Sequence, residues 1–153
     1  MQVKDYMTTD FCHGSPDTLF EDIFRCWQSS DQHIFLVLDG KRKILGLVTF
    51  YDLIKRFIPF YLQLDEMRSD IEFSELLSSK TVEKCMNLRA DAVMAKKVVT
   101  VQENDNILKA MSEMFSFEFD YIPVTDSNGT CTGIITRAVI EEKVMQMIQE
   151  KQT

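Results

Sequence analysis

Residues suited to catalysis or metal binding are scarce in this chain of 153 residues. It holds two histidines, His13 and His33, and four cysteines, Cys12, Cys26, Cys85 and Cys131, with no Cys-x-x-Cys pair. A zinc site draws on closely spaced Cys and His ligands, and the adjacent Cys12 and His13 would point to opposite faces of a strand. A metal site is therefore rejected. Scattered cysteines read as buried or half-buried thiols in a reducing compartment. Positive charge is also short: 17 Lys and Arg against 24 Asp and Glu leave a net −7, whereas a nucleic-acid binder shows a basic face. No apolar run approaches the ~20 residues that span a bilayer, and Met1-Gln2-Val3-Lys4-Asp5 lacks the apolar segment of a secretory signal. The expectation is a cytoplasmic protein without direct contact to nucleic acid or membrane. Neither the phosphate loop Gly-x-x-x-x-Gly-Lys nor the nucleophile elbow Gly-x-Ser-x-Gly occurs, so no enzyme is expected.

What the chain does contain is a duplication. Gly46-Leu47-Val48-Thr49-Phe50-Tyr51-Asp52-Leu53 is answered, at a constant offset, by Gly133-Ile134-Ile135-Thr136-Arg137-Ala138-Val139-Ile140. Met7 and Met94, Val37 and Val124, and Asp39 and Asp126 obey the same offset. In the first copy a turn at Pro16-Asp17 precedes Thr18-Leu19-Phe20-Glu21, which has capping-box spacing. Leu19, Phe20, Ile23, Phe24 and Trp27 then recur at helical period as a core stripe. Ile34 to Leu38 is a short apolar run fit for a buried strand, Asp39-Gly40-Lys41-Arg42 is hairpin-turn chemistry, and Ile44 to Val48 returns. A helix follows from Thr49 to Pro59. The second copy reads likewise: a strand Val98–Val101, a helix after Asn104-Asp105, a strand at Tyr121–Val124, a turn at Asp126–Gly129 and a return from Cys131. Its last helix begins at Thr136. Pro123 belongs near a strand end or edge, where its missing N–H costs no ladder bond.

Two β-α-β-β-α units of this size are too small to bury separate full cores. The expected fold class is α+β, two repeats related by a pseudo-twofold axis and packed through their sheets. The boundaries are 1–59 for repeat 1, 60–88 for a helical connector and 89–153 for repeat 2. A strand ending in Thr at a helix start gathers a hydroxyl and free backbone N–H groups. Such a point suits a helix cap or an anionic ligand.

The ordered set Val3-x-Asp5-x-Met7, Thr18-Leu19, Leu36-Val37-Leu38-Asp39-Gly40 and Gly46-x-x-Thr49-x-x-Asp52-Leu53 resembles a CBS domain. Its second copy runs Val93-Met94, Val99-Thr100-Val101, Ile122-Pro123-Val124-x-Asp126 and Gly133-Ile134-Ile135-Thr136, so the chain is similar to a tandem CBS pair, or Bateman module. The resemblance implies a non-catalytic regulatory or sensor module that binds AMP, ADP, ATP or an S-adenosyl compound between its repeats. It also implies homodimerisation through the repeat helices, and a regulated protein that the sequence does not name. The alternative is a structural homodimerisation scaffold with vestigial clefts.

Mapped onto this sequence, the resemblance makes Thr49 and Asp52 the ribose-binding pair. The same Thr-x-x-Asp spacing is also a capping device that needs no ligand, and both readings stand. His33 matches a phosphate-facing position, Leu47, Val99 and Phe119 the apolar positions around adenine, Asp120 a polar position at the base edge, and Lys96 and Lys97 a charge source for a polyphosphate. In the second, degraded site Thr136, Arg137, Ile134 and Cys12 are the counterparts. Val139 stands there in place of Asp52, and Asp120 would repel an anion.

Overall fold

The computed structural model describes residues 1–55 and 79–153. The helical pieces expected within 62–77, and Phe57, Ile58 and Pro59, lie outside the described residues. In chain order the elements are β1 (Cys12–Gly14), α1 (Phe20–Gln28), β2 (Ile34–Leu38), β3 (Ile44–Thr49), α2 (helical over 50–55), α3 (Ser79–Met86) and α4 (Ala90–Val93). There follow β4 (Val101–Gln102), α5 (Ile107–Phe117), β5 (Tyr121–Thr125), β6 (Cys131–Thr136) and α6 (Arg137–Gln152). The expected β-α-β-β-α succession therefore occurs twice. It builds two three-stranded sheets of identical plan, β1-β2-β3 and β4-β5-β6, each with one parallel and one antiparallel pair.

Each sheet belongs to its own compact unit. One consists of Cys12–Gly40 and Ile44–Lys96; the other of Met1–Phe11, Lys41–Lys43 and Lys97–Thr153. We call them the β1–β3 unit and the β4–β6 unit. These units cut across the repeats, because the segment leading into each repeat packs on the sheet of the other. Val3 N–H bonds Asp105 O at 2.9 Å and Lys4 N–H bonds Glu103 O at 2.9 Å; at the equivalent positions Ala90 N–H bonds Thr18 O at 2.8 Å and Asp91 N–H bonds Pro16 O at 3.0 Å. Ile107 N–H donates to Met1 O, and Phe20 N–H to Leu88 O. Val3 and Ala90, both fully buried, complete the respective cores.

The lead-in segments also close the outer sheet edges. Thr8 exchanges both backbone bonds with Ile134 on β6, and Ala95 does the same with Leu47 on β3. An unpaired edge invites association; here the chain covers its own. The close approach explains the repeated Gly and Met. A Cβ on Gly133 would lie 2.6 Å from Thr8 O and 3.1 Å from Met7 Sδ, and one on Gly46 would lie 2.6 Å from Met94 Sδ and 2.8 Å from Ala95 O.

The core of the β1–β3 unit holds Phe20, Ile23 and Trp27 from α1 against Phe35, Val37 and Val48 of the sheet. The polar face of α1 turns outward, where Arg25 pairs with Asp22 and Glu21. The counterpart core holds Ile107, Ala110 and Met114 of α5 against Ile122, Val124 and Ile135.

Several expectations need correction. The Thr18 capping box does not form: the N-cap is Leu19, which makes no side-chain cap bond. There the first turn is anchored instead by the Phe20–Leu88 backbone bond. The strand expected over 98–101 shrinks to Val101–Gln102, since β5 offers register only to Val124 and Thr125. Pro123 lies mid-strand, yet the reasoning about its N–H survives. It faces Ile134, whose own N–H and C=O are turned to Thr8, so Pro123 presents its nitrogen to the side where β4 has not begun. In the first hairpin the left-handed position is taken by Arg42 (φ 62°), not Gly40, whereas Gly129 (φ 78°) holds it in the second.

The cysteine reading is overturned in part. Cys12, the first residue of β1, and Cys26 of α1 form a disulfide across a separation of 14 residues, with Cα atoms 6.1 Å apart. Strand and helix packing bring them together, which spacing alone does not reveal. Cys85 and Cys131 are buried outside that bond. Burial pushes the Cys131 thiol above its ordinary range.

Candidate functional site

The end of β3 and the start of α2 form one continuous piece of local chemistry. Thr49 closes the strand opposite Ile34, and the helix begins at residue 50. The Asp52 carboxylate folds back: its Oδ2 accepts from Thr49 N–H at 2.8 Å and from Thr49 Oγ1 at 3.1 Å, and Asp52 N–H donates to Thr49 Oγ1 at 3.3 Å. This is a reciprocal capping box with Asp in the acidic position. The Asp52 side chain is only 10% exposed, and Lys55 Nζ stands 3.3 Å from Oδ1. The same ammonium lies 4.9 Å from the Tyr51 ring centroid.

An ionised carboxylate offers about four acceptor positions. Among the described residues Thr49 takes two, both on Oδ2, and Lys55 one on Oδ1, which leaves an acceptor position on Oδ1. The cap is thus formed without exhausting the pair. A ligand with adjacent hydroxyls could be received there without breaking the helix start.

Aromatic rings underlie this point. Trp27, 3% exposed, has ring centroids 6.3 Å from Phe50 and 6.2 Å from His33. Its buried Nε1 has no hydrogen-bond partner among the described residues. His33 precedes Ile34, the residue paired with Thr49, and so shares the Thr49 end of the sheet. Leu47, two residues before Thr49, is half-buried under the Ala95 bridge. Lys96, next in sequence, is exposed. The structure therefore brings Thr49, Asp52, His33 and Leu47 to one end of the β1–β3 unit. Lys55 and Tyr51 are additions that the sequence reading passed over, while Trp27, read there as core, is core and also borders this point. Lys55 had a usable signal, since it lies one helical turn from Asp52.

The other expected residues, Cys12 apart, belong to the β4–β6 unit. Thr136 caps α6 by accepting from Val139 N–H at 3.2 Å, and Val139 returns nothing. Arg137 is held to Asp120: its Nε lies 3.5 Å from Asp120 Oδ1, its N–H donates to Asp120 O at 2.8 Å, and its Nη2 donates to Phe119 O at 3.3 Å. The charge of Arg137 is thus countered by Asp120. Phe119 stacks on Phe117 at 5.6 Å. Val99 is half-buried and Lys97 exposed, both ahead of β4. Ile134 is fully buried, and Cys12 is buried and cross-linked in the β1–β3 unit.

Among the described residues no group of His, Cys, Asp and Glu could hold a metal ion, and no helix is long and apolar enough to cross a membrane.

Comparison with known proteins agrees with this architecture. The CBS domain profile matches residues 3–58 and 90–144. The chain is 26% identical over 135 residues to the uncharacterized protein MJ1225 of Methanocaldococcus jannaschii, a match covering 88% of this chain and 44% of that protein. It thus spans less than half the length of the curated relatives that it matches. The CBS domain pair of protein MJ0100, solved in complex with 5-methylthioadenosine and S-adenosyl-L-methionine, superposes with a TM-score of 0.71 at 15% identity, over 96% of this chain and 98% of that one. CBSX2 in complex with AMP superposes with a TM-score of 0.68 at 21% identity, over 95% and 97%. At such identities the superpositions speak for the fold alone. The two profile matches, one on each of the two repeats, place the chain in the CBS-domain family.

Proposed function

We propose that this chain is a non-catalytic regulatory module, which receives an adenine nucleotide or S-adenosyl compound at the Thr49–Asp52 helix start. One observation carries the reading: an acid and a hydroxyl sit together at that start with an acceptor position to spare. The equivalent place in the other unit has Val139 and a one-way cap. In this reading the ribose hydroxyls bond Asp52 and Thr49, Leu47 contacts the base, and His33 and Lys55 supply polar or positive character toward the phosphates. The complexes of MJ0100 and CBSX2 named above support the ligand class. The module works in the cytoplasm, where such ligands are abundant, and acts on a regulated protein that the sequence does not name.

Isothermal titration with AMP, ADP, ATP and S-adenosylmethionine tests this. One site per chain is expected, and Asp52→Asn should weaken it by roughly tenfold or more, the worth of a hydrogen bond to a charged group. Near a hundredfold excess over Kd the ligand should add about 2.7 kcal/mol of stability. Two equal sites would overturn the asymmetry, and unchanged affinity in Asp52→Asn would overturn the site.

A second reading, a homodimerisation scaffold, has its own observation. The α5 and α6 helices leave Phe115 90%, Met145 59% and Ile148 54% exposed, and apolar surface of that kind suits a second copy. A thermal-shift panel without response to any ligand would favour it.

A further inference from the structure

We infer that the Cys12–Cys26 disulfide is a redox-responsive latch on the Thr49 end of the β1–β3 unit. The bond closes the loop that carries Gly14, Pro16, Thr18 and Phe20. That loop is the platform for the second repeat's lead-in segment, through Asp91 N–H to Pro16 O, Ala90 N–H to Thr18 O and Phe20 N–H to Leu88 O, at 2.8–3.0 Å. The lead-in then runs to Ala95, which exchanges both backbone bonds with Leu47, two residues before Thr49. Covalent link, platform, lead-in and site are thus contiguous within one unit. β1 is the weak member, since only three residues, Cys12, His13 and Gly14, pair with β2.

The chemistry needs one co-reactant class, a low-molecular-weight or protein dithiol. Cys12 is 4% exposed and Cys26 is half-buried, so an incoming thiolate attacks Cys26 Sγ. The S–S bond breaks and Cys12 leaves as a thiolate that takes up a proton. The reductant's second thiol then displaces Cys26, giving two protein thiols and one oxidised dithiol, a two-electron exchange. Afterwards the β1–β2 pairing and the apolar cluster keep the fold, while the platform gains freedom. Reduction therefore loosens the lead-in and, through Ala95 and Leu47, the Thr49 site. That last step rests on the function proposed above; the latch itself does not.

The test is hydrogen exchange on the full chain, air-oxidised and after dithiothreitol, with alkylation of the denatured protein to count thiols. Two of the four cysteines should label when oxidised and four when reduced. Amide exchange at Ala90, Asp91, Ala95 and Leu47 should quicken about tenfold or more on reduction, and Tm should fall by about 6–12 °C, as expected for opening a loop of this length. AMP affinity should weaken by about threefold to tenfold. Cys26→Ser under oxidising conditions should match the reduced protein. Four labelled cysteines in the oxidised sample, or identical exchange at these amides in both states, would overturn the latch. Altered exchange with equal AMP affinity would overturn the coupling. Altered exchange with no AMP binding in either state would support the latch and overturn the nucleotide reading.

Discussion

Asp52 serves the helix before it serves any ligand, and a substitution can separate the two. Asp52→Ala deletes the reciprocal cap and should cost about 1 kcal/mol, or roughly 2–4 °C in Tm for a chain of this size. Asn keeps an acceptor for the Thr49 N–H, so Asp52→Asn should recover most of that stability while losing affinity. Thermal unfolding beside titration gives both readouts, and equal loss of stability in the two variants would refute the separation. A second residue gives an acid signature. Asp105 accepts from Gln102 N–H at 2.8 Å and pairs with Lys109. The Gln102 bond first, with Lys109 assisting, holds its carboxyl below the usual range. A depressed folded pKa contributes stability above the unfolded value, and that contribution is lost as pH falls through the folded value. Asp105→Asn should therefore be less stable than the parent at pH 7, and the gap in urea midpoints should close below about pH 4. Thr49 with Asp52 was legible because a capping box is four residues of local chain. The Arg137–Asp120 pair was not, because it needs a helix start and a strand entrance brought side by side.

Among the elements, β3 and β6 depend on what crosses their outer edges. Gly46→Ala and Gly133→Ala would push a methyl against the Ala95 and Thr8 carbonyls. Backbone cannot swing aside as a methionine can, so each should cost about 1–3 kcal/mol, with Gly133→Ala the worse. Gly40 is the control: nothing lies within 4 Å of a Cβ there, and its φ is not in the left-handed region, so Gly40→Ala should be neutral or stabilising by about 0.4–1 kcal/mol. Urea midpoints for the three variants decide it, and three equal values would discard the explanation. The sequence showed Met7, Met94, Gly46 and Gly133 as matched pairs but not as contacts. Periodicity reports which residues are equivalent, and only folding reports that Met7 meets Gly133 while Met94 meets Gly46. The same limit shortened β4, since a strand ends where its partner stops offering backbone groups.

At the scale of the whole molecule, the exposed apolar residues of α5 and α6 allow the homodimer reading to be tested. If a second copy covers them, Met145→Glu places a charge in that interface and should shift sedimentation toward monomer without lowering the unfolding midpoint of the monomer; an unchanged sedimentation profile would reject that interface. The amino-acid sequence by itself determined the duplication, the α+β class, the element order and the Thr49–Asp52 helix start. All of these follow from residue periodicity, turn chemistry and spacings of a few residues. Tertiary structure alone decided that the lead-in segments exchange sheets, that Cys12 and Cys26 are joined, and that Asp120 counters Arg137. The physical reason is shared by all three: each joins groups distant along the chain, through contacts formed only when strands pair and helices pack.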